Sequence, residues 1–218
     1  MKSLLTLIVL SSCIKKESLI ESSGFLHKKE ILISCSNAMI NCEVVGTDMS
    51  GTASRIYWGG SYYWLTAAHV CQNFMPDLLP IQTSITIRVA GSNIEENPLI
   101  LKVDTHNDLC LLSANEGPAR RIAKNPPNPG DKVFSIAYPS GIFDPQMLPI
   151  YDGRWNGEFK QEGKCMFTIP VSGGSSGAAV LDSMGDVVGV ISSVSREFNH
   201  MSIGPCHDDL LNFLTINR

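Results

Sequence analysis

Three short runs each contain one member of a residue set that makes a serine hydroxyl reactive. In chain order they are Thr66-Ala67-Ala68-His69, Asn107-Asp108-Leu109-Cys110-Leu111-Leu112 and Gly173-Gly174-Ser175-Ser176-Gly177-Ala178-Ala179-Val180. A hydroxyl is a weak nucleophile at neutral pH, so it needs an imidazole to take its proton and a carboxylate to orient that imidazole. The runs therefore predict nucleophilic catalysis, with a histidine as general base.

The three runs resemble the trypsin/chymotrypsin-like serine peptidases, in which His, Asp and Ser follow one another in the same order. The likeness is greatest to small bacterial Deg/HtrA-type protease domains, and it extends over roughly residues 42–214. It implies a serine endopeptidase that acts on proteins or peptides through an acyl-enzyme and needs no cofactor. The 42 residues after Ser176 leave no room for the PDZ domain that many Deg-type enzymes carry. A catalytically silent binding or structural protein of the same fold at the cell envelope is the alternative.

By this resemblance the general base is His69 and the orienting acid is Asp108. His106 and Asp104 are the rivals, because both lie within four residues of Asp108. Asp108 is preferred because it opens the Asp-Leu-x-Leu-Leu pattern of the family. The remaining histidines, which lack such a context, are His27, His200 and His207.

The nucleophile has to be chosen from Ser172, Ser175 and Ser176. Family members have Gly-x-Ser-Gly around the reactive serine, and Gly174-Ser175-Ser176-Gly177 fits this pattern only with Ser176 as the nucleophile. Glycine permits the tight turn that aims backbone N–H groups at a developing oxyanion. The predicted oxyanion donors are the N–H groups of Gly174 and Ser176. The sequence departs from the commoner pattern at Ser175, and at Ala178-Ala179 where Gly-Pro often stands, but neither change removes a catalytic group.

The resemblance also implies a pocket for the substrate residue before the cleaved bond. Its base is formed by Pro170 and Val171, and one wall is formed by Ser192 to Val194. No acidic residue lies between residues 164 and 179, so a basic substrate residue is disfavoured. The branched side chain of Val194 is expected to narrow the entrance. Small or medium apolar residues such as Ala, Val or Leu are therefore the predicted preference.

The pattern along the chain predicts an all-β fold of two six-stranded antiparallel barrels with a short C-terminal helix. Gly59-Gly60 predicts a hairpin, and Asp208 and Asp209 mark the start of the helix, placed at residues 208–215. Barrel 1 is placed at about residues 35–124 and barrel 2 at about 130–206, with the proline-rich stretch 125–130 as the crossover. The other predicted strands cover residues 53–58, 61–65, 83–90, 99–103, 132–138, 164–169, 178–181 and 187–191.

The N-terminal residues have the pattern of an export signal. Lys2 precedes a short apolar stretch, and Leu10-Ser11-Ser12-Cys13 resembles a bacterial lipobox, which implies lipidation at Cys13. An ordinary signal peptide and a buried N-terminal strand are the alternatives. Residues 1–13 are thus predicted as the signal, residues 14–34 as a polar tether and residues 35–218 as the peptidase domain. The predicted location is the cell envelope, outside the cytoplasm.

Six cysteines remain after Cys13, and an exported chain can keep disulfides. The sequence alone leaves all connectivities open. A bridge between Cys165 and Cys206 is plausible because both segments flank the predicted pocket, whereas Cys110 lies in an apolar run that also suits a free buried thiol. No C-x-x-C or H-x-x-x-H pair is present, so no metal site is predicted.

The overall composition limits the possible partners. The formal net charge is −4 and the isoelectric point is about 5.7, which argues against nucleic acid as a partner. No run of 18 apolar residues follows the N-terminus, so the predicted contact with a membrane is the lipid at Cys13 alone.

Overall fold

A computed structural model describes residues 40–44, 50–72, 85–89, 94–139, 149–160, 162–195, 198 and 200–215. The predicted signal at residues 1–13, with Cys13, and the predicted tether at residues 14–34 lie outside the described residues. Within the described part of the chain, neither helix is long and apolar enough to cross a bilayer.

The described residues form two antiparallel sheets of seven strands each. The first sheet has the spatial order β5-β4-β1-β2-β3-β7-β6. Its central hairpin turns at Gly59 and Gly60, whose positive φ values of 59° and 91° suit glycine. The strands are β1 (Ile40–Val44), β2 (Ser50–Trp58), β3 (Ser61–Thr66), β4 (Ile85–Val89), β5 (Glu95–Glu96), β6 (Ile100–Asp104) and β7 (Leu109–Ser113).

The second sheet has the spatial order β12-β11-β8-β9-β10-β14-β13. Its strands are β8 (Lys132–Ile136), β9 (Ile150–Phe159), β10 (Lys164–Phe167), β11 (Ala179–Leu181), β12 (Val187–Val190), β13 (Ser193–Val194) and β14 (Ser202–Gly204). The all-β class is confirmed. Each sheet has one strand more than the six expected, and each includes a strand of only two residues, β5 or β13.

The longest strand, β9, was not predicted from the sequence. Two of its ten residues are glycines, which normally argue against a strand. A Cβ atom at Gly153 would lie 2.5 Å from the carbonyl oxygen of Thr168, so the neighbouring backbone approaches too closely for any side chain. Gly157 has a φ of 99°, near the point where the pairing with β10 shifts register.

Two short helices complete the described fold. Helix α1 (Ala68–Gln72) follows β3 directly, and helix α2 (His207–Thr215) begins one residue before the predicted start. The segment between the sheets pairs first with β2, through Arg120, and then with β12, through Ile122. One core cluster lies in the first sheet, and the other fills the second sheet and reaches Ile56 and Leu65 of the first. The two sheets are therefore packed together by a shared core.

Candidate active site

His69 lies on helix α1, immediately beyond the end of strand β3. The small residues Ala67 and Ala68 are buried, so they pack beneath the helix without filling the space beside the imidazole. The side chain of His69 keeps 40% of its surface exposed. The helix thus presents the ring at the surface, where a substrate can approach it.

Asp108 ends the turn between β6 and β7 and contacts His69 at two points. Nδ1 of His69 lies 2.9 Å from Oδ2 of Asp108 and 3.1 Å from Oδ1. The backbone N–H of His69 also donates to Oδ1, at 2.9 Å. This amide lies in the first turn of α1 and has no partner within the helix, so the carboxylate orients both the helix and its imidazole.

The environment of Asp108 favours its charged form. Burial by itself would raise the pKa of the Asp108 carboxyl, but the hydrogen bonds from the side chain and backbone of His69 outweigh it. The pKa of Asp108 is therefore lowered from its usual value. A carboxylate that stays ionised can stabilise the imidazolium that forms when His69 takes a proton.

The rival residues in the same turn have a different role. The carboxylate of Asp104 accepts hydrogen bonds at 3.0 Å from the backbone N–H of His106 and from the backbone and side-chain N–H groups of Asn107. The carbonyl of His106 in turn accepts from Nζ of Lys164, at 2.9 Å. Asp104 and His106 therefore shape the turn, and the contact with His69 is made by Asp108.

The two adjacent serines of the third run point in different directions. Ser175 is buried, with 1% of its surface exposed, and its Oγ accepts from the backbone N–H of Ser172 at 3.4 Å. Ser176 is only half-buried, and its Oγ donates to the carbonyl of Ser192 at 3.4 Å. Of these two hydroxyls, the one that a substrate can reach belongs to Ser176.

The backbone around Ser176 leaves two amide donors for a ligand. The N–H groups of Ser175, Gly177 and Ala178 donate to carbonyls of the protein at 2.7–3.1 Å. Within the described residues, the N–H groups of Gly174 and Ser176 have no such acceptor. Gly174 has a φ of 90°, which glycine adopts without strain. These two are the donors that the sequence predicted for an oxyanion.

Thr52 of strand β2 joins the Ser176 loop to the sheet that carries His69. Its N–H donates to the carbonyl of Ser176 at 2.7 Å, and its Oγ1 donates to the carbonyl of Gly174 at 2.8 Å. Its own carbonyl accepts from the hydroxyl of Thr66, three residues before His69. Thr52 was missed in the sequence, because a threonine in a strand is ordinary and no motif marks it.

Close packing at the same junction explains the glycine after Ser176. A Cβ atom at Gly177 would lie 2.1 Å from the carbonyl oxygen of Thr52 and from Oγ1 of Thr66. Gly177 also has a φ of 87°. The loop can therefore reach the first sheet only with glycine at this position.

Ser192, predicted as part of the pocket wall, also touches the catalytic candidates. Its carbonyl accepts from Oγ of Ser176, and its buried hydroxyl contributes to the lowered pKa of Asp108. That hydroxyl makes no hydrogen bond of regular geometry within the described residues, so its effect on Asp108 is the smallest of those acting there. Ser192 thus contacts Ser176 and also influences Asp108.

The other predicted pocket residues differ in their exposure. Pro170 and Val194 are exposed, and Val171 is half-buried against the core of the second sheet. Ser202 of β14 pairs directly with Val194, so the two side chains lie on the same face of the sheet. The hydroxyl of Ser202 is buried and has no hydrogen-bond partner in the described part of the chain. Ser202 was not recognised in the sequence.

The described residues contain two disulfides. Cys165 of β10 is bonded to Cys206, which precedes α2, as the sequence suggested. Cys71 of α1 is bonded to Cys110 of β7, so Cys110 is not a free thiol. Disulfides persist outside the reducing cytoplasm, and the pair indicates an extracytoplasmic protein. Among the described residues, no group of three His, Cys, Asp or Glu side chains is arranged to hold a metal ion.

Comparison with protein families decides which kind of domain this is. The profile of the trypsin-like peptidase domain matches residues 51–190, which is more than half of the chain. The chain belongs to the trypsin-like peptidase family. The resemblance found in the three runs is therefore confirmed. A search of curated proteins returned no significant match.

Solved structures share the fold of this trypsin-like peptidase domain at low sequence identity. A serine endoprotease from Yersinia pestis aligns with a TM-score of 0.64 and 18% identity over 81% of this chain. The chain spans 61% of that protein. The active form of the Rv3671c protease from M. tuberculosis aligns with a TM-score of 0.62 and 16% identity, over 84% of this chain and 81% of the other. The inactive form of Rv3671c gives the same TM-score and identity.

Proposed function

We propose that this chain is a serine endopeptidase that cleaves peptide bonds with Ser176, His69 and Asp108. The proton of the Ser176 hydroxyl passes to Nε2 of His69 while Oγ bonds to the substrate carbonyl carbon. The N–H groups of Gly174 and Ser176 donate to the oxyanion that forms. His69 then gives the proton to the leaving amine, the C–N bond breaks and an acyl-enzyme remains. A water molecule, deprotonated by His69, releases the acid and restores Ser176.

The double contact between His69 and Asp108 carries this proposal. A hydrogen bond from Nδ1–H to the carboxylate leaves Nε2 as the basic nitrogen of the ring. A histidine with a merely structural role has no need of an ionised partner that also orients its helix. The N–H groups of Gly174 and Ser176, which have no acceptor among the residues that the structure describes, support the same chemistry.

Replacement of the two neighbouring serines tests the nucleophile. Ser176→Ala is expected to lower the hydrolysis of casein by about 10⁴-fold or more, because the members of a triad act as a unit. Ser175→Ala is the matched control, and it should retain most of the activity. A fluorophosphonate probe should label wild type and Ser175→Ala but not Ser176→Ala. Labelling of Ser176→Ala would refute the assignment, and an unlabelled folded wild type would favour the silent binding protein.

The pocket formed by Pro170, Val171 and Ser192 to Val194 favours small or medium apolar substrate residues. No acidic residue lies between residues 164 and 179, so a lysine or arginine side chain would be buried there without a charged partner. In a fluorogenic peptide series that varies the residue before the cleaved bond, Ala, Val or Leu should be preferred. Val194→Gly should widen the range to Phe. A preference for Arg or Lys in wild type would refute the pocket.

The proposed anchor at Cys13 makes the enzyme a membrane-bound protein of the cell envelope. Two or more acyl chains hold a protein stably on a bilayer, whereas one alone does not. Wild type expressed in a bacterium should partition into the detergent phase of Triton X-114, and Cys13→Ser should partition into the aqueous phase. Wild type in the aqueous phase, with residues 1–13 still present by mass spectrometry, would contradict the proposal.

A further inference from the structure

The disulfide between Cys71 and Cys110 runs parallel to the contact between His69 and Asp108. Cys71 is the second residue after His69, and Cys110 is the second residue after Asp108. Both pairs are therefore separated by 39 residues along the chain. One covalent bond thus joins α1 to β7, and the catalytic contact joins α1 to the residue that directly precedes β7.

Helix α1 is too short to be stable by itself. It has five residues, whereas isolated helices shorter than about 12–15 residues are marginal in water. Residues two apart on a helix point to nearly opposite sides. Cys71 is fully buried and His69 is partly exposed, so the disulfide fixes the inner side of the helix and leaves the outer side to the imidazole.

The partner element also needs support. Asp108 has a φ of 57°, a left-handed conformation that costs about 1–3 kcal/mol in a residue other than glycine. Such a conformation persists only where the surroundings impose it. Cys110 is fully buried and pairs with Thr66 at the end of β3, so the disulfide ties α1 back to the ladder that sets the position of Asp108.

We propose that Cys71 and Cys110 are positioning residues. Their disulfide holds the imidazole of His69 within hydrogen-bond distance of the Asp108 carboxylate. Neither sulfur reacts with substrate. Reduction by dithiothreitol converts the disulfide to two thiols and oxidises dithiothreitol to its cyclic disulfide, and it should loosen the catalytic pair without unfolding the sheet. The consequence for activity rests on the proposed function, whereas the geometry of the pair can be measured directly.

The test compares two variants that each lack one disulfide. Cys71→Ala/Cys110→Ala removes the bond beside the catalytic pair, and Cys165→Ala/Cys206→Ala removes a bond of similar loop length, with a separation of 41 residues instead of 39. A displacement of about 1 Å in a catalytic group can cost about a hundredfold in rate. The first variant should lose about 10- to 100-fold in kcat with little change in KM, and the second variant less than about threefold.

The ¹⁵N NMR shifts of the His69 ring give a second readout that requires no turnover. They report the fraction of ring with the proton on Nδ1, which the Asp108 contact favours. This fraction should fall in Cys71→Ala/Cys110→Ala and stay high in the control. If the first variant fails to fold, reduction of Cys165→Ala/Cys206→Ala replaces it, and reoxidation should restore both readouts.

Two results would overturn the proposal. One is an unchanged Nδ1–H fraction and kcat after loss of the Cys71–Cys110 bond, and the other is an equal loss in both variants at equal folded fraction. A third result would bear on the proposed function alone: in wild type the His69 ring carries its proton on Nδ1, but the fluorophosphonate probe does not label Ser176. In that case the proposed function fails, and the response of the ring to reduction still decides the positioning role.

Discussion

The sheet that carries His69 and Asp108 and the sheet that carries Ser176 stabilise their buried polar groups in different ways. The first encloses an ion pair between Arg55 and Glu96, whose side chains are 8% and 5% exposed. Oε2 of Glu96 also accepts from Nε1 of Trp64 at 2.9 Å, and the Arg55 guanidinium lies 4.2 Å from the centre of the Trp64 ring. The two charged side chains buried in the first sheet are thus stabilised by each other and by Trp64.

The strands of the second sheet bury neutral groups. Its core contains Trp155 and Phe167 with ring centroids 5.1 Å apart, and the hydroxyl of Ser135 donates to the carbonyl of Ala179 at 2.8 Å. Asp182 follows strand β11 directly, and burial raises the pKa of its carboxyl by more than its hydrogen bonds lower it. At Asp108 in the first sheet the hydrogen bonds dominate, and its pKa is lowered.

The difference matches the chemistry proposed for each half. A general base and its acid partner need surroundings that tolerate charge, because the imidazolium and the carboxylate exist together during the reaction. The nucleophile loop needs exact backbone geometry and carries no charge before the reaction, so close packing around glycine suffices for it. The first sheet is therefore expected to depend on charged partners and the second on packing.

Breaking the buried ion pair should have the largest effect. Glu96→Ala leaves Arg55 charged and buried without its carboxylate, and it removes the acceptor of the Trp64 indole N–H. Loss of one partner of a buried pair costs about 3–5 kcal/mol in the free energy of unfolding. Urea denaturation followed by tryptophan fluorescence measures this cost.

The adjacent Glu95 supplies the matched control for Glu96. It lies on the same strand but points outward, and it pairs with Arg88 at 2.9 Å with side chains 55% and 45% exposed. Glu95→Ala should cost about 0–1 kcal/mol, because solvent screens an exposed pair. Equal losses in Glu95→Ala and Glu96→Ala would contradict a charge-dependent interior in the first sheet.

For the fold, the sequence was informative where it contained a turn motif, a helix-start signal or an alternating pattern. The hairpin at Gly59-Gly60, the start of α2 and the all-β class agree with the structure. The buried pair of Arg55 and Glu96 could not be foreseen, because charged residues in strands usually face solvent. Strand β9 was missed because its glycines serve close packing and a change of register, which depend on the partner strand.

The pairing of the cysteines also could not be predicted from the sequence alone. The six cysteines that follow Cys13 leave many pairings, since a disulfide depends on distances in the folded chain. The equal spacing of His69 to Asp108 and of Cys71 to Cys110 was present in the sequence and could have indicated the bond. Thr52 had no comparable signal, because its contacts with Gly174 and Ser176 join parts of the chain more than 100 residues apart.

The smallest expected changes in stability come from replacing Asp182 and Asp108 by asparagine, and the two changes should have opposite signs. The raised pKa of Asp182, caused first by burial, means that its ionised form destabilises the fold, and this cost appears as pH rises through its folded pKa. Asp182→Asn should therefore stabilise the protein at pH 7 by less than about 1 kcal/mol, after allowance for partial exposure. The amide oxygen can keep the hydrogen bonds that Oδ1 accepts from the N–H groups of Met184 and Asp186.

Asp108→Asn should act in the opposite direction. Because hydrogen bonds from His69 outweigh burial and lower the pKa of Asp108, its carboxylate stabilises the fold above its unfolded pKa of about 3.9, and this contribution is lost as pH falls through the folded pKa. Asp108→Asn should therefore be less stable than wild type at pH 7, and the difference should shrink at low pH. Urea midpoints of wild type and of both variants, measured from pH 7 down to about pH 3, test the two signs together. If both substitutions shift the midpoint in the same direction at pH 7, the two sheets do not differ in their tolerance of charge.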